Sequence, residues 1–148
     1  MKTARNLALL ALVLFVISHF LPAYVDKSGF ACFQFCWNML LGHDGDVFTG
    51  GWFYYSGFAI SNILFIGLVL ALFVTKKSRS LRSILSVVLF LHILSWLATN
   101  AFQRPTQITE IAIGYYAWLI AYGLLLAAHL RKEPADSLEP IPLARSVV

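Results

Sequence analysis

Cys32 and Cys36, the only two cysteines among 148 residues, lie four apart in the segment FACFQFCWNML. Such a pair can form a structural disulfide, stay reduced, or act as a redox couple. On a continuous helix this spacing puts the Cα atoms ~6 Å apart, within disulfide range, but the Cβ vectors fit poorly. A bridge therefore favours a turn, and a structural disulfide between Cys32 and Cys36 is the expectation. A second group, His43, Asp44 and Asp46, sits in GHDGDVFTGG. An imidazole and two carboxylates suit a divalent ion. Flanking glycines also make D-G-D a solvated turn, so no metal is expected there. The third group centres on His92, with Ser95 and Thr99 following at helical spacing on one face. An ionisable side chain inside an apolar run is costly and faces the interior of a bundle. His19 lies in the same half of the membrane but on a different level, which argues against a pair of haem-ligating histidines. The expectation for His92 is a hydrogen bond across to a neighbouring helix, with no cofactor.

The elements that must hold these groups are membrane spans. The chain is 59% hydrophobic and 12% charged, with a mean hydropathy of +0.77. So few charges cannot cover an aqueous surface, and disorder needs the opposite balance. A helix crosses the hydrocarbon core with ~20 apolar residues. Residues 6–24, 52–74, 83–101 and 111–130 meet that length, and none contains Asp, Glu, Lys or Arg. Runs such as LFIGLVLALFV do not alternate as barrel strands do. The spacing predicts an all-α integral membrane fold, a four-helix antiparallel bundle over residues 1–130, followed by a flexible cytoplasmic tail over 131–148. Gly57-x-x-x-Ser61 and Gly67-x-x-x-Ala71 predict close helix approach, and Asn62 a bond to a neighbouring helix.

Basic residues set the orientation. With both termini in the cytoplasm, nine of the eleven Lys and Arg residues fall inside, and only Lys27 and Arg104 fall outside. The basic KKSRSLR loop then lies against anionic headgroups. The pI near 9.3 reflects this bias and implies no nucleic-acid partner. Lys2 and Arg5 precede the first span, and no A-x-A-like site follows it, so an uncleaved signal-anchor is predicted. The outer connection from Val25 to Gly51 is the longest, and His129 falls at the cytoplasmic rim.

In this orientation the aromatic and polar residues gather in the outer half, whereas the inner half is almost wholly aliphatic. An interfacial belt would decorate both faces. The asymmetry leaves two readings, a one-sided interfacial belt or an outward-facing pocket, with His19, Trp52, Tyr55, His92, Ser95, Tyr115 and Trp118 as the candidate residues of the pocket. The aliphatic inner half provides no polar path through the membrane, against a channel or transporter built from one copy.

Three segments carry a resemblance: FLPAY ending the first span, GGWFYYSGFAISNILF opening the second, and GYYAWL opening the fourth. In layout the chain resembles uncharacterised small four-helix bacterial inner-membrane proteins. The resemblance implies four antiparallel helices and bacterial origin, and brings no activity. Periplasmic disulfide generators and vitamin K epoxide reductase-like proteins also have four helices and outer cysteines. Their active pair is C-x-x-C, whereas this one is C-x-x-x-C, and the second pair of the disulfide generators is absent. The expected function is non-enzymatic: an accessory, assembly or immunity-type protein engaging the bilayer and another membrane protein through its outer aromatic face. The alternative is a thiol, quinone or lipid-active enzyme using the outer pocket.

Overall fold

A computed structural model describes residues 2–43, 49–74, 79–103 and 105–131. Its elements are α1 (Lys2–Phe20), β1 (Pro22–Tyr24), β2 (Lys27–Ser28), α2 (Gly29–Leu41), α3 (Gly50–Val74), α4 (Arg79–Gln103), a 3-10 turn (Pro105–Glu110) and α5 (Ile113–Leu130). Helices α1, α3, α4 and α5 are long and apolar enough to cross a membrane. Large apolar side chains on one face of α4, among them Ile84, Val88 and Leu91, stay exposed. That stripe requires a non-aqueous surrounding.

The seam of α1 explains its partner. Ala8, Ala11, Phe15 and Ser18 are buried at alternating spacings of three and four. Against them α5 presents Ala121, Tyr122, Leu125 and Ala128, also buried. Small residues let two backbones approach, and α1 packs more extensively on α5 than on any other element. Phe65 of α3 closes the core, stacked on Phe15 at 4.3 Å and 12° between ring planes.

Of the two small-residue motifs read on α3, only one works as expected. A Cβ at Gly57 would come within 2.8 Å of His92 Nε2, so α4 comes close here. At Gly67 a Cβ would meet nothing within 4 Å. The burial stripe of α3 runs through Asn62, Phe65, Leu68 and Val69, and Gly67 lies off it on the exposed face.

The first span is shorter than its apolar run. Helix α1 stops at Phe20, because Pro22 lacks an amide hydrogen and holds the preceding residue out of the helical region. The chain then turns as a small hairpin, β1 antiparallel to β2. Val25 occupies the first central position of the turn with φ 53°, a place glycine normally takes. The hairpin is tied to the start of α5: Val25 N–H donates to Glu110 O at 2.7 Å and Ala112 N–H to Ala23 O at 3.0 Å.

The long connection between the hairpin and α3 contains helix α2. Ser28 caps its start, accepting from Ala31 N–H at 3.2 Å. Gly42 ends it at φ 74°, and the next amide, His43 N–H, reaches back to Asn38 O at 2.9 Å.

The opposite end, where α3 finishes and α4 starts, is held by side chains donating to backbone carbonyls. Arg82 Nη1 donates to Ala71 O at 2.7 Å. Ser83 Oγ donates to His129 O at 3.2 Å, and Ser86 Oγ to Arg82 O at 2.8 Å. His129 lies in the last turn of α5, yet its side chain is buried, because it falls on the same face of α5 as Tyr122 and Leu125, which packs inward.

Candidate functional site

A cavity of about 1110 Å³ opens at the hairpin end, between the last turns of α1 and the inner face of α2, with α3, α4 and α5 completing its wall. Two glycines let its rim close. Gly29 and Gly114 lie so near the backbone of residues 18–22 that a Cβ at either would overlap a carbonyl oxygen, Ser18 O and Pro22 O respectively. The cavity runs from Gly50 and Gly51 at the mouth to Asn62 at the floor. Twelve residues of helix rise separate these levels, about 18 Å.

Aromatic rings form the wall. Trp96 lies 5.0 Å from Tyr115 and 5.3 Å from Tyr24, centroid to centroid. Phe58 lies 5.2 Å from Tyr54 and 5.8 Å from Trp118. Edge and tilted contacts of this kind are the favoured arrangements of ring quadrupoles. Most hydroxyl and ring N–H groups in the wall are held in place within the protein. Tyr115 Oη donates to Ile93 O at 2.7 Å, and Tyr24 Oη to Glu110 Oε2 at 2.7 Å. Ser95 Oγ donates to His92 O at 2.6 Å and lies 3.3 Å from Tyr54 Oη. His19 Nδ1 lies 2.7 Å from Phe15 O, which can only accept, so Nδ1 carries the proton.

At the floor the pattern changes. Asn62 is only 6% exposed. Its Oδ1 accepts from Trp118 Nε1 at 2.9 Å and from Tyr122 Oη at 3.2 Å. Asn62 thus bonds across to α5, as its place in the second span implied.

Of the residues singled out from sequence, His19, Tyr55, Tyr115 and Trp118 line this cavity, as do Cys32 and Cys36. Trp52, His92 and Ser95 do not. Trp52 packs on Phe53 at 4.9 Å near the start of α3. Ser95 acts behind the wall, beside Tyr54. His92 departs from its expectation: its Nε2 is buried with no hydrogen-bond partner among the described residues. The ring packs instead beside Phe58, at 4.5 Å, and over Gly57, where the missing side chain leaves room for it. Residues outside the sequence-based set that line the cavity include Tyr54, Phe58, Asn62, Trp96 and Asn100. For all but Asn62, which lies at the middle of α3, position in the hairpin-end half of the spans was the signal that could have found them.

The two cysteines project from one face of α2, and both are free thiols. Burial pushes the Cys36 thiol up to about 12, with Cys32 adding to the effect. Burial also raises Cys32, partly offset by the Lys27 ammonium. Both groups are therefore protonated near neutral pH and poor nucleophiles. Of the metal candidates, His43 is exposed just beyond α2, and Asp44 and Asp46 lie outside the described residues. Among the described residues no group of three His, Cys, Asp or Glu side chains could hold an ion.

Comparison of the chain with family models, with curated proteins and with solved structures finds no match.

Proposed function

We propose that this is a non-enzymatic protein of a bacterial cytoplasmic membrane that holds another membrane component in its outer aromatic cavity. Its four spans form an antiparallel bundle with both termini in the cytoplasm, which puts the hairpin end outside. The nine-to-two bias of Lys and Arg supports that orientation. One observation carries the functional reading: a cavity of about 1110 Å³, walled by aromatic rings, at the hairpin end of the bundle. Apolar walls with a few fixed polar groups are the ordinary construction of a binding pocket. The protonated state of Cys36 weighs against the alternative of thiol redox chemistry.

The test is native mass spectrometry of protein purified in mild detergent, compared with Cys36→Trp, which fills the cavity from α2. Wild type should retain a bound membrane component that the filled variant loses, with the unfolding temperature unchanged or raised. An equal bound mass in both proteins, or none in either, overturns the reading.

A further inference from the structure

The cavity floor carries a polarity that its wall does not. Trp118 Nε1 can only donate, so the Asn62 atom facing it at 2.9 Å must be the oxygen, and the orientation of the amide is fixed. Tyr122 Oη donates to the same oxygen. Both hydrogen bonds of Asn62 therefore end on Oδ1, and its Nδ2 hydrogens go to no described residue. The side chain is more than nine-tenths buried and lies on the cavity surface, so what it offers the cavity is a donor. Other polar groups on the lining differ in kind. Asn100 donates from Nδ2 to Trp96 O at 2.8 Å, and Ser18 Oγ to Phe15 O at 2.6 Å. Lys27 and Thr99 are exposed near the mouth.

Facing the cavity, this N–H has only water to donate to, and an occupant that displaces that water without bringing an acceptor leaves the donor unpaired at a cost in free energy. Above the donor stand the faces and edges of Phe58, Tyr115 and Trp118, which favour a flat π system. We infer that the cavity binds an uncharged aromatic molecule bearing a carbonyl oxygen at its inner end, the oxygen accepting from Asn62 Nδ2 and the ring lying among Phe58, Tyr115 and Trp118. The inference rests on the proposed binding function and adds the chemical class and orientation of the occupant. Among the described residues no cation lines the cavity below Lys27, so none of them offers a counter-charge to an anionic group at the inner end.

Benzophenone and 1,1-diphenylethylene form a matched probe pair, alike in outline and differing only by oxygen in place of a methylene. Illuminated benzophenone inserts into nearby C–H bonds, so peptide mapping of protein in detergent reports where it sits. The expected adducts lie on α3 and α5 around Phe58 and Trp118, and the alkene should compete about fivefold more weakly than unreacted ketone, the size of one net hydrogen bond. In Asn62→Leu the preference for the ketone should vanish; partition of the two probes into the micelle cancels in this comparison. Asn62→Asp, assayed at alkaline pH where its carboxyl is ionised, serves as the second variant, since it keeps oxygens for Trp118 and Tyr122 and has no donor. Cavity labelling with equal competition by the two probes in wild type, or a preference unchanged in either folded variant, overturns the acceptor inference and leaves the binding function standing. Absence of cavity adducts in wild type overturns both.

Discussion

At the Arg82 end the side chains of Arg82, Ser83 and Ser86 donate to backbone carbonyls of their own or an adjoining helix, and the helices there close on one another. At the hairpin end the same four helices splay around a cavity, and α2 is inserted into its wall. The difference lies in side-chain size and in what the connections contribute. Arginine and serine can bend back to a carbonyl within a turn, and the aliphatic residues beside them fill the remaining space. The rings of Trp96, Tyr115 and Trp118 meet tilted or edge-on along the side of the cavity and stand as a wall. Close packing at the hairpin end is moved to its rim, where Gly29 and Gly114 touch backbone directly. One end provides rigidity and the other provides room.

The sharpest way to test this contrast is thiol reactivity. Cys36 faces the cavity but is buried enough to hold its thiol up to about 12. Alkylation of Cys36 at pH 8 should be some tens-fold slower than that of an ordinary thiol, because the smaller thiolate fraction is partly offset by the greater nucleophilicity of a more basic thiolate, with Cys32 reacting ahead of it. The raised value also implies a stability term of known sign. Folding favours the protonated thiol, so the contribution is complete below pH 9 and is lost as pH rises from about 9 to about 12. Peptide mapping after timed iodoacetamide exposure reads the rates, and rapid modification of Cys36 at pH 8 would show that the α2 face is open.

Gly114→Ala should come next in size. Its Cβ would meet backbone oxygens of residues 21 and 22 at 2.6–2.8 Å, and backbone cannot swing aside as a side chain can. A loss of about 2–3 kcal/mol is expected in detergent unfolding, typical of overpacking against a rigid neighbour. An effect near zero would mean that the hairpin is not docked on α5.

Spans and interior contacts were legible in the sequence to different degrees. The four long helices follow from length and hydropathy, which need no knowledge of packing. Helix α2 escaped notice because thirteen residues are too few to cross the membrane, although Ser28 and Gly42 stand at its ends as cap residues. The hairpin gave no signal at all, since Val25 sits where Asn or Gly would have announced the turn. His19, Tyr55, Tyr115 and Trp118 could be placed at the cavity from their depth in the outer half. Depth says nothing of azimuth, however, and a rotation of one residue separates Trp52 and Ser95 from the lining. The i, i+4 spacing of the cysteines likewise allowed a bridge or two thiols until α2 was seen to be continuous.

Two smaller effects bear on the closed end. Arg82→Ala removes the donor to Ala71 O and the stem beside it, and should cost about 1–2 kcal/mol in the same unfolding assay. A larger loss at this position than at Gly114 would reverse the ranking of the two ends. Gly67→Ala should do least. Its Cβ would meet nothing within 4 Å, so only helix propensity changes, and the protein should gain up to about 0.5–1 kcal/mol. Destabilisation by this variant would show that Gly67 faces a second copy or another chain.

The pairing of α1 with α5 has a consequence for how the protein is made. The helix that emerges first packs mainly on the helix that emerges last. While α3 and α4 are being inserted, the Ala8–Ala11–Phe15–Ser18 face of α1 has only part of its surroundings, and the hairpin has no strand end at Tyr24–Ile111 on which to dock. Long-range contacts of this kind form late. The cavity, walled partly by Tyr115 and Trp118, therefore forms only once α5 is in place. A nascent protein stalled before the fourth long helix would sit in the bilayer with three spans, yet have no chamber in which to hold anything.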